Sequence, residues 1–434
     1  MAQFNKNTHS FLEQAKTLFE TVMVADQYGN PVSSGNPSGM AIDAFGRARV
    51  STPVTLFDSF NRYQINGGFS TANSANGSTS YLANNSTVLM TVDNTSGTYT
   101  KRETTKVFAY QPGKSLQIMS TFVMNAPKVG LTQRVGYFND SNGVFLNQSG
   151  ANTVSFIVRS STNGTLSENS ALQANWNLDP LDGTGPSKKV LDLSKTQIVF
   201  YDIEWLGVGS VRAGFVIDGQ LIHCHSFHHA NILSDVYMTT ACLPIRYEIF
   251  NTAATSGEST LKQICSTVIS EGGYDLRGRP RSVGHPVQTL YTLATAGTVY
   301  PLVTIRLKAT RLDAIVIPKE ISILGDGNAT RYQWRLIMGG SVSGGSGTWV
   351  SVSDSDSVEY KLDATTLTGG TVLSSGYLGI SNQSSSGLKL STDLFKFQLE
   401  RDGLTSTPTL FTLAIVGATN GDKVVGSIDW QEIT

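Results

Sequence analysis

The residues best suited by type to do chemistry lie between Tyr201 and His229. His223, His225, His228 and His229 are four of the six histidines in the chain. His223 and His225 stand two apart, so on a strand both leave one face while Cys224 leaves the other. An imidazole pair of this kind can begin a transition-metal site, and histidine is also the side chain whose charge changes nearest neutral pH. No carboxylate or distant histidine completes a ligand set, so polar-face or partly buried histidines are expected, with no metal. Asp202 and Glu204 also share a strand face, and two carboxylates are the minimum for hydrolysing a glycoside. Nothing follows them at a useful spacing. Asp354, Asp356 and Glu359 offer hard oxygens of the kind Ca²⁺ prefers, but the run lacks the glycine of an EF-hand loop, so a solvated acidic loop is expected. There is no Gly-x-Ser-x-Gly elbow, no Walker loop and no zincin helix. The chain is expected not to be an enzyme and to need no cofactor.

The elements that position these residues are the most legible part of the chain. Ile198, Phe200, Ile203 and Trp205 form an apolar run that breaks at Gly207-Val208-Gly209. Its placement inside an apolar strand makes Trp205 a core residue in expectation, not a platform for a sugar ring. Val211, Ala213, Phe215 and Ile217 then alternate with smaller or polar neighbours, the two-residue period of a half-buried strand. Asp218-Gly219 follows, the pair that best tolerates positive φ at both central positions of a tight hairpin. Leu221 to Phe227 returns. Gln197 to Phe227 therefore reads as three successive strands of one antiparallel sheet.

Composition sets wider bounds. A chain of 434 residues has room for two or three domains with their own cores. Charged residues make up 15%, well below the roughly 25% of an average globular protein. Gly, Ser, Thr and Asn take their place, which suits short strands joined by many turns. A formal charge of −1 gives no global basic field, so neither nucleic acid nor a membrane is expected as a partner. Cys224, Cys242 and Cys265 are too few and too irregular for a disulfide framework and read as buried free thiols. The N-terminus lacks the apolar stretch of a signal peptide, and no run approaches the ~18 apolar residues of a membrane span. Synthesis in a cytoplasm is expected, with the chain staying soluble or being assembled there.

In chain order, Ser10 and Glu13 form a capping box, after which Phe11, Ala15, Leu18, Phe19 and Val22 fall on one helical face. This amphipathic helix can pack on its own sheet or dock on a neighbouring subunit, and both uses stay open. Tyr28 to Met40 reads as a linker. Gly67 to Ser80 reads as a polar loop. Strand signals recur at Ser86–Met90, Lys106–Tyr110, Ser115–Met124, Gln133–Phe138 and Val154–Arg159, then near 236–250 and 261–269. Turn signals stand at Asp93-Asn94, Pro112-Gly113 and Asn142-Gly143. Short strands at such spacing mean a β-sandwich or jelly roll. Asp275 to Ser282, with Arg277, Arg279 and Arg281, reads as an exposed basic linker. Beyond it, Val303, Ile305 and Leu307 alternate with polar residues, as do Phe395, Phe397 and Leu399. Leu413 to Val416 reads as a buried strand.

The segment Phe45-Gly46-Arg47-Ala48-Arg49-Val50-Ser51-Thr52-Pro53-Val54-Thr55-Leu56-Phe57-Asp58-Ser59 resembles a segment near the N-terminus of virion structural proteins from tailed bacteriophages, marine and cyanobacterial ones especially. Ile269-Ser270-Glu271-Gly272-Gly273-Tyr274 resembles the end of the same domain. Glu204-Trp205, the Asp218-Gly219 hairpin and the closing strands resemble the concanavalin A-like jelly roll. Glucanases of that fold carry a Glu-x-Asp-x-x-Glu strand, and Tyr201-Asp202-Ile203-Glu204-Trp205 departs from it. The resemblance implies a particle component. The expected fold is all-β, two β-sandwich domains preceded by a short amphipathic helix: an arm and linker over 1–43, a jelly roll over 44–274, a basic linker over 275–285 and a smaller sandwich over 286–434. The expected function is a capsid decoration or head-fibre protein, with a tail or baseplate fibre or a carbohydrate-binding receptor protein as the alternative. The partners expected are the major capsid or tail scaffold, further copies of the chain in a symmetric homo-oligomer such as a trimer, and a host-surface glycan. Phe11, Leu18, Phe19, Val22, Arg47 and Arg49 are the candidate docking residues. For Arg47 and Arg49, pairing with carboxylates of the same domain and contact with a partner subunit are both open.

Overall fold

The computed structural model describes residues 43, 47, 52–326, 331–379, 386–389 and 398–433. The expected helix with Phe11, Leu18, Phe19 and Val22, together with Arg49, Phe395 and Phe397, lies outside these residues. The described chain is all-β, with only three single-turn 3₁₀ segments and no α-helix.

Two antiparallel sheets use the strands between Val54 and Glu271. The eight-stranded sheet runs Gln220–Phe227, Val211–Ile217, Gln197–Ile203, Ser115–Val123, Ser259–Glu271, Thr87–Val92 and Gly77–Leu82, with Val54–Ser59 beside the far half of Ser259–Glu271. The seven-stranded sheet runs Ser167–Leu172, Thr153–Ser160, Gly143–Ser149, Leu131–Phe138, Ile245–Asn251, Tyr99–Thr104 and Phe69–Asn73. The expected meander is present, and Asp218 (φ 53°) and Gly219 (φ 75°) both take the positive φ that its two-residue turn requires. Alternation sends Val199, Tyr201, Ile203, Val211, Ala213 and Phe215 inward against Val135, Tyr137, Leu146, Phe156, Tyr247 and Ile249. Two tyrosines cross this core with their hydroxyls satisfied. Tyr201 donates to Val135 O and accepts from Leu146 N–H, and Tyr137 donates to Ala241 O and accepts from Leu243 N–H. The two sheets form a jelly-roll-type sandwich.

The strands from Arg279 onward form a second sandwich. Its five-stranded sheet is organised by Asp422–Ile433, which pairs with Arg279–Gly284, Ile315–Asp326 and Tyr291–Leu293. Its six-stranded sheet places Tyr300–Leu307 and Phe411–Gly417 at the centre. Leu302, Ile305, Leu336, Leu413, Ile428 and Trp430 close the core between them. The sandwiches touch through apolar and polar groups. Ile315 and Ile317 join the jelly-roll core. Gln398 donates to Val107 O, and the Arg401 backbone N–H donates to Thr105 O.

Five local expectations need correction. Gly67 to Ser80 is not a loop: Phe69–Asn73 and Gly77–Leu82 are outer strands of the two sheets. Only Phe69 among them is buried, so no apolar alternation marked them. Residues 236–241 are irregular, and Lys106–Tyr110 contributes only the two-residue strand Phe108–Ala109. Arg279–Gly284, read as linker, is an edge strand, where its proline is tolerated. Gln398–Glu400, read as strand, is irregular: Leu399 packs in the second core and donates its N–H to Val316 O, while Gln398 reaches Val107 O of the first sandwich.

Candidate functional site

The outer face of the seven-stranded sheet carries a lattice of charges that no single sequence segment contains. Strand register assembles it. Arg246 stands opposite Glu103, and Glu248 stands opposite Lys101 on one side and Arg134 on the other. Arg134 in turn faces Asn147, and Arg159 faces Glu168. Because strand side chains alternate, these residues all leave the sheet on the side away from the core. Gly136 lies between Arg246 and Phe145 in the same register row. A Cβ there would come within 2.6 Å of Phe145 Cβ, so only glycine lets the neighbouring strand lie this close.

Arg246 is the hub and is 99% buried at its side chain. Its Nε and Nη2 hold Glu103, and its Nη1 bonds Asp140 at 2.5 Å and Glu248 at 3.1 Å. Glu248 also draws Lys101 (3.7 Å) and Arg134 (3.8 Å). Arg159 pairs with Glu168 at 2.7 Å and donates to Asn139 O. The guanidinium planes lie over aromatic rings: Arg134 over Phe145 and Phe250, and Arg159 over Phe138 and Phe145. Such stacking holds the cations in place while leaving edge N–H groups for a ligand. Arg401, from the second sandwich, completes the cluster by pairing with Glu103 at 2.7 Å.

Electrostatics follow from this pairing. Burial opposes the charge on Arg246, yet Glu103, Glu248 and Asp140 together raise its pKa above the usual arginine value. The Asp140 side chain is largely exposed; what desolvation it has opposes ionisation, but the Arg246 guanidinium outweighs it and keeps the carboxyl below its ordinary range. Above this lattice opens a cleft of about 370 Å³, lined by Tyr99, Lys101, Arg134, Asp140, Arg159, Leu166, Glu248 and Phe250 among others. That volume is within the range of small-molecule sites. Its walls set Lys101, Arg134 and Arg159 beside Asp140 and Glu248 and add aromatic and aliphatic surface at Tyr99, Phe250 and Leu166.

The residues singled out in the sequence lie elsewhere. Asp202 is fully buried on the eight-stranded sheet, on the face pointing away from the inter-sheet core, opposite Arg212 and Gln117. Glu204 is in the loop beyond that strand, where burial raises its pKa, against the backbone bond from Ser210 and with a smaller push from Asp43. The two do not line the cleft. The histidines have separate occupations. His223 bonds Arg212, His225 Nδ1 accepts from Asn177 N–H, His228 bonds Ser210, and His229 donates to Gly209 O while stacked on Tyr237. No group of three or more potential metal ligands occurs among the described residues. Asp354 is exposed in a turn, as a solvated loop would have it, whereas Asp356 is buried under Arg281 (2.7 Å) and Glu359, on the strand that follows, pairs with Arg306 (2.6 Å). Trp205, expected in the core, is only partly buried. It donates to Met238 O and lines a crevice of about 470 Å³ between the sandwiches. Cys224 is buried, Cys242 and Cys265 are half-buried, and all three are free. Arg47 binds Asp43 through both Nε and its backbone N–H and donates to Gly113 O, contacts within its own chain.

Sequence reading missed the cleft residues, although one signal was available. Ile245-Arg246-Tyr247-Glu248-Ile249 alternates apolar and charged positions, which marks a strand with one charged face. What it faces depends on register.

No protein-family model matches the chain, and no curated protein matches it. Among solved structures it is similar to a β-1,3-glucanase from Mycobacterium marinum (9% identity, covering 50% of this chain and 98% of that one, TM-score 0.35). It is also similar to the carbohydrate recognition domain of Emp47p (10% identity, 49% and 93% covered, TM-score 0.31). A third is a carbohydrate esterase from the Shiga toxin-encoding bacteriophage phi24B (10% identity, 51% and 100% covered, TM-score 0.29). Function has to be read from the cleft's own chemistry.

Proposed function

We propose that this chain works by binding and not by turnover, and that its cleft on the seven-stranded sheet holds a neutral glycan. The observation that carries this reading is the complete internal pairing of the cleft's charges. Each carboxylate there is engaged by an arginine or lysine. A glycosidase needs one carboxyl kept protonated by its surroundings, whereas Asp140 is held ionised. A surface of pre-oriented donors and acceptors, whose three cations and two carboxylates are already paired within the chain, suits hydroxyl groups better than phosphate or sulfate. Tyr99, Phe250 and Leu166 supply the apolar surface on which a sugar ring can rest.

The test is a glycan array followed by calorimetry with the best neutral oligosaccharide. Saturable binding is expected, weakened at least tenfold by Arg134→Ala with the melting curve preserved, and with no cleavage product. Absence of binding to any neutral glycan, or binding indifferent to Arg134→Ala, sinks the reading. A second placement comes from the Phe45–Ser59 segment, which resembles virion structural proteins of tailed phages. On that reading the chain is a capsid decoration or fibre component presenting its sandwiches outward, and mass spectrometry of purified particles should find it in fixed copy number.

A further inference from the structure

We infer that the crevice between the two sandwiches is a second binding site, one that takes a small organic cation with an apolar body. It is separate from the cleft on the seven-stranded sheet, since no described residue lines both. Both sandwiches build it. Tyr110, Trp205 and Cys242 come from the first and Arg311, Asp313 and Ser357 from the second, around a volume of about 470 Å³. That is within the range of small-molecule sites. Its oxygens lack partners. Ser357 is fully buried, and its Oγ has no hydrogen-bond partner among the described residues. The Ser357 backbone N–H donates to Glu432 Oε1, while Oε2 of the same buried carboxylate is likewise without a partner there. Asp313 is exposed, and among the described residues only its backbone carbonyl is engaged, accepting from Cys242 Sγ at 2.9 Å. The Asp313 charge is felt at the crevice wall: burial, and after it Asp313, pushes the Cys242 thiol up in pKa.

The ligand's chemistry follows from what these groups lack. A buried oxygen without a donor is costly, and an ammonium group brings several donors together with the charge that a free carboxylate attracts. Trp205 and Tyr110 add aromatic faces, which attract a cation and cover an apolar body. Arg311 is the one lining cation among the described residues, and its Nη1 and Nη2 are turned onto Ser355 O and Asp354 O. The contrast with the cleft lies in the carboxylates. There, Arg246 holds both Asp140 and Glu248, whereas Asp313 and Glu432 hold no cation among the described residues. An anion would meet these oxygens as like charge, and a neutral molecule would leave Asp313 without a counter-ion.

The experiment titrates the full chain with phenethylamine, phenethyl alcohol and phenylacetate, which share one body and differ in charge. Calorimetry and tryptophan fluorescence should show saturable binding of the amine, with the alcohol and the acid weaker by about tenfold or more. Asp313→Asn should weaken the amine about tenfold at an unchanged melting temperature, because that side chain is exposed. Ser357→Ala should weaken it by about threefold. Trp205→Phe should abolish the fluorescence change, and Arg134→Ala, in the other cleft, should leave the amine's affinity as it was. Absence of saturable amine binding, equal binding of the three compounds, affinity indifferent to Asp313→Asn, or a fluorescence change that survives Trp205→Phe overturns the inference. Loss of amine binding in Arg134→Ala would move the site to the cleft and overturn it as well. Glycan binding by the cleft is independent of all these outcomes.

Discussion

Arg102 and Arg246 lie on neighbouring strands of one sheet, both buried, yet on opposite faces. Arg246 lies on the outer face among three carboxylates, and its charge is reinforced. Arg102 points into the core beside Phe69 and Tyr247, where burial lowers its pKa to about 10. Among the described residues its Nε and Nη1 have no hydrogen-bond partner, and Nη2 reaches Asn66 O at 3.4 Å. The pleat alone makes the difference, since Arg102 and Glu103 are adjacent in sequence and leave opposite sides. A buried cation is tolerable where the register supplies anions and costly where it does not.

The comparison can be broken most decisively at its hub. Arg246→Met takes the hub cation from buried Glu103 and Glu248, leaving them only Arg401 and the more distant Lys101 and Arg134, and should cost about 3–5 kcal/mol of stability in urea titration. A loss below about 1 kcal/mol would mean the lattice is solvated and weak. Arg102→Met should go the other way. It removes a poorly partnered buried charge while keeping most of the apolar volume, so stability should hold or rise by about 1–4 kcal/mol. Arg401→Met tests whether the second sandwich belongs to the same lattice. Loss of its bonds to Glu103 and to Thr104 O should cost about 1.5–3 kcal/mol. It should also leave the Phe411–Gly417 strand's hydrogen exchange unchanged while accelerating that of Tyr99–Thr104.

The smallest effect separates the lattice from the histidine end of the jelly roll. Burial, and after it His228, lowers the pKa of His225; for His229 burial is also the main cause, opposed by its bond to Gly209. A folded-state value below the unfolded one means the neutral ring is favoured by folding. Stability is then complete above about pH 6.5 and declines as pH falls below it toward the folded values. The melting temperature should therefore drop between pH 7 and 5, and His229→Gln should flatten that slope. Asp140, with its pKa lowered, keeps its contribution until the pH falls below the ordinary carboxylate range. Hydrogen exchange at pH 5.5 should accordingly open the 228–237 loop before the seven-stranded sheet.

Sequence alone determined what depends on near neighbours along the chain. Alternation from Val211 to Ile217 and the Asp218-Gly219 pair dictated a hairpin, because pleat and turn geometry are properties of a few consecutive residues. The scarcity of charge and the wealth of Gly, Ser and Thr determined an all-β chain. Phe69–Asn73 and Gly77–Leu82 escaped notice because outer strands need little apolar burial and so carry little pattern. The tertiary structure decided everything that depends on which strands lie side by side. Asp202 and Glu204 share a face in sequence logic, yet the first is buried on the eight-stranded sheet, away from the cleft. Lys101, Glu103, Arg134, Arg159, Glu168, Arg246 and Glu248 come from five strands scattered over some 150 residues, and only register brings them onto one face. A period of two says that a charge leaves the sheet, while the charge it meets is set by pairing between strands distant in the chain.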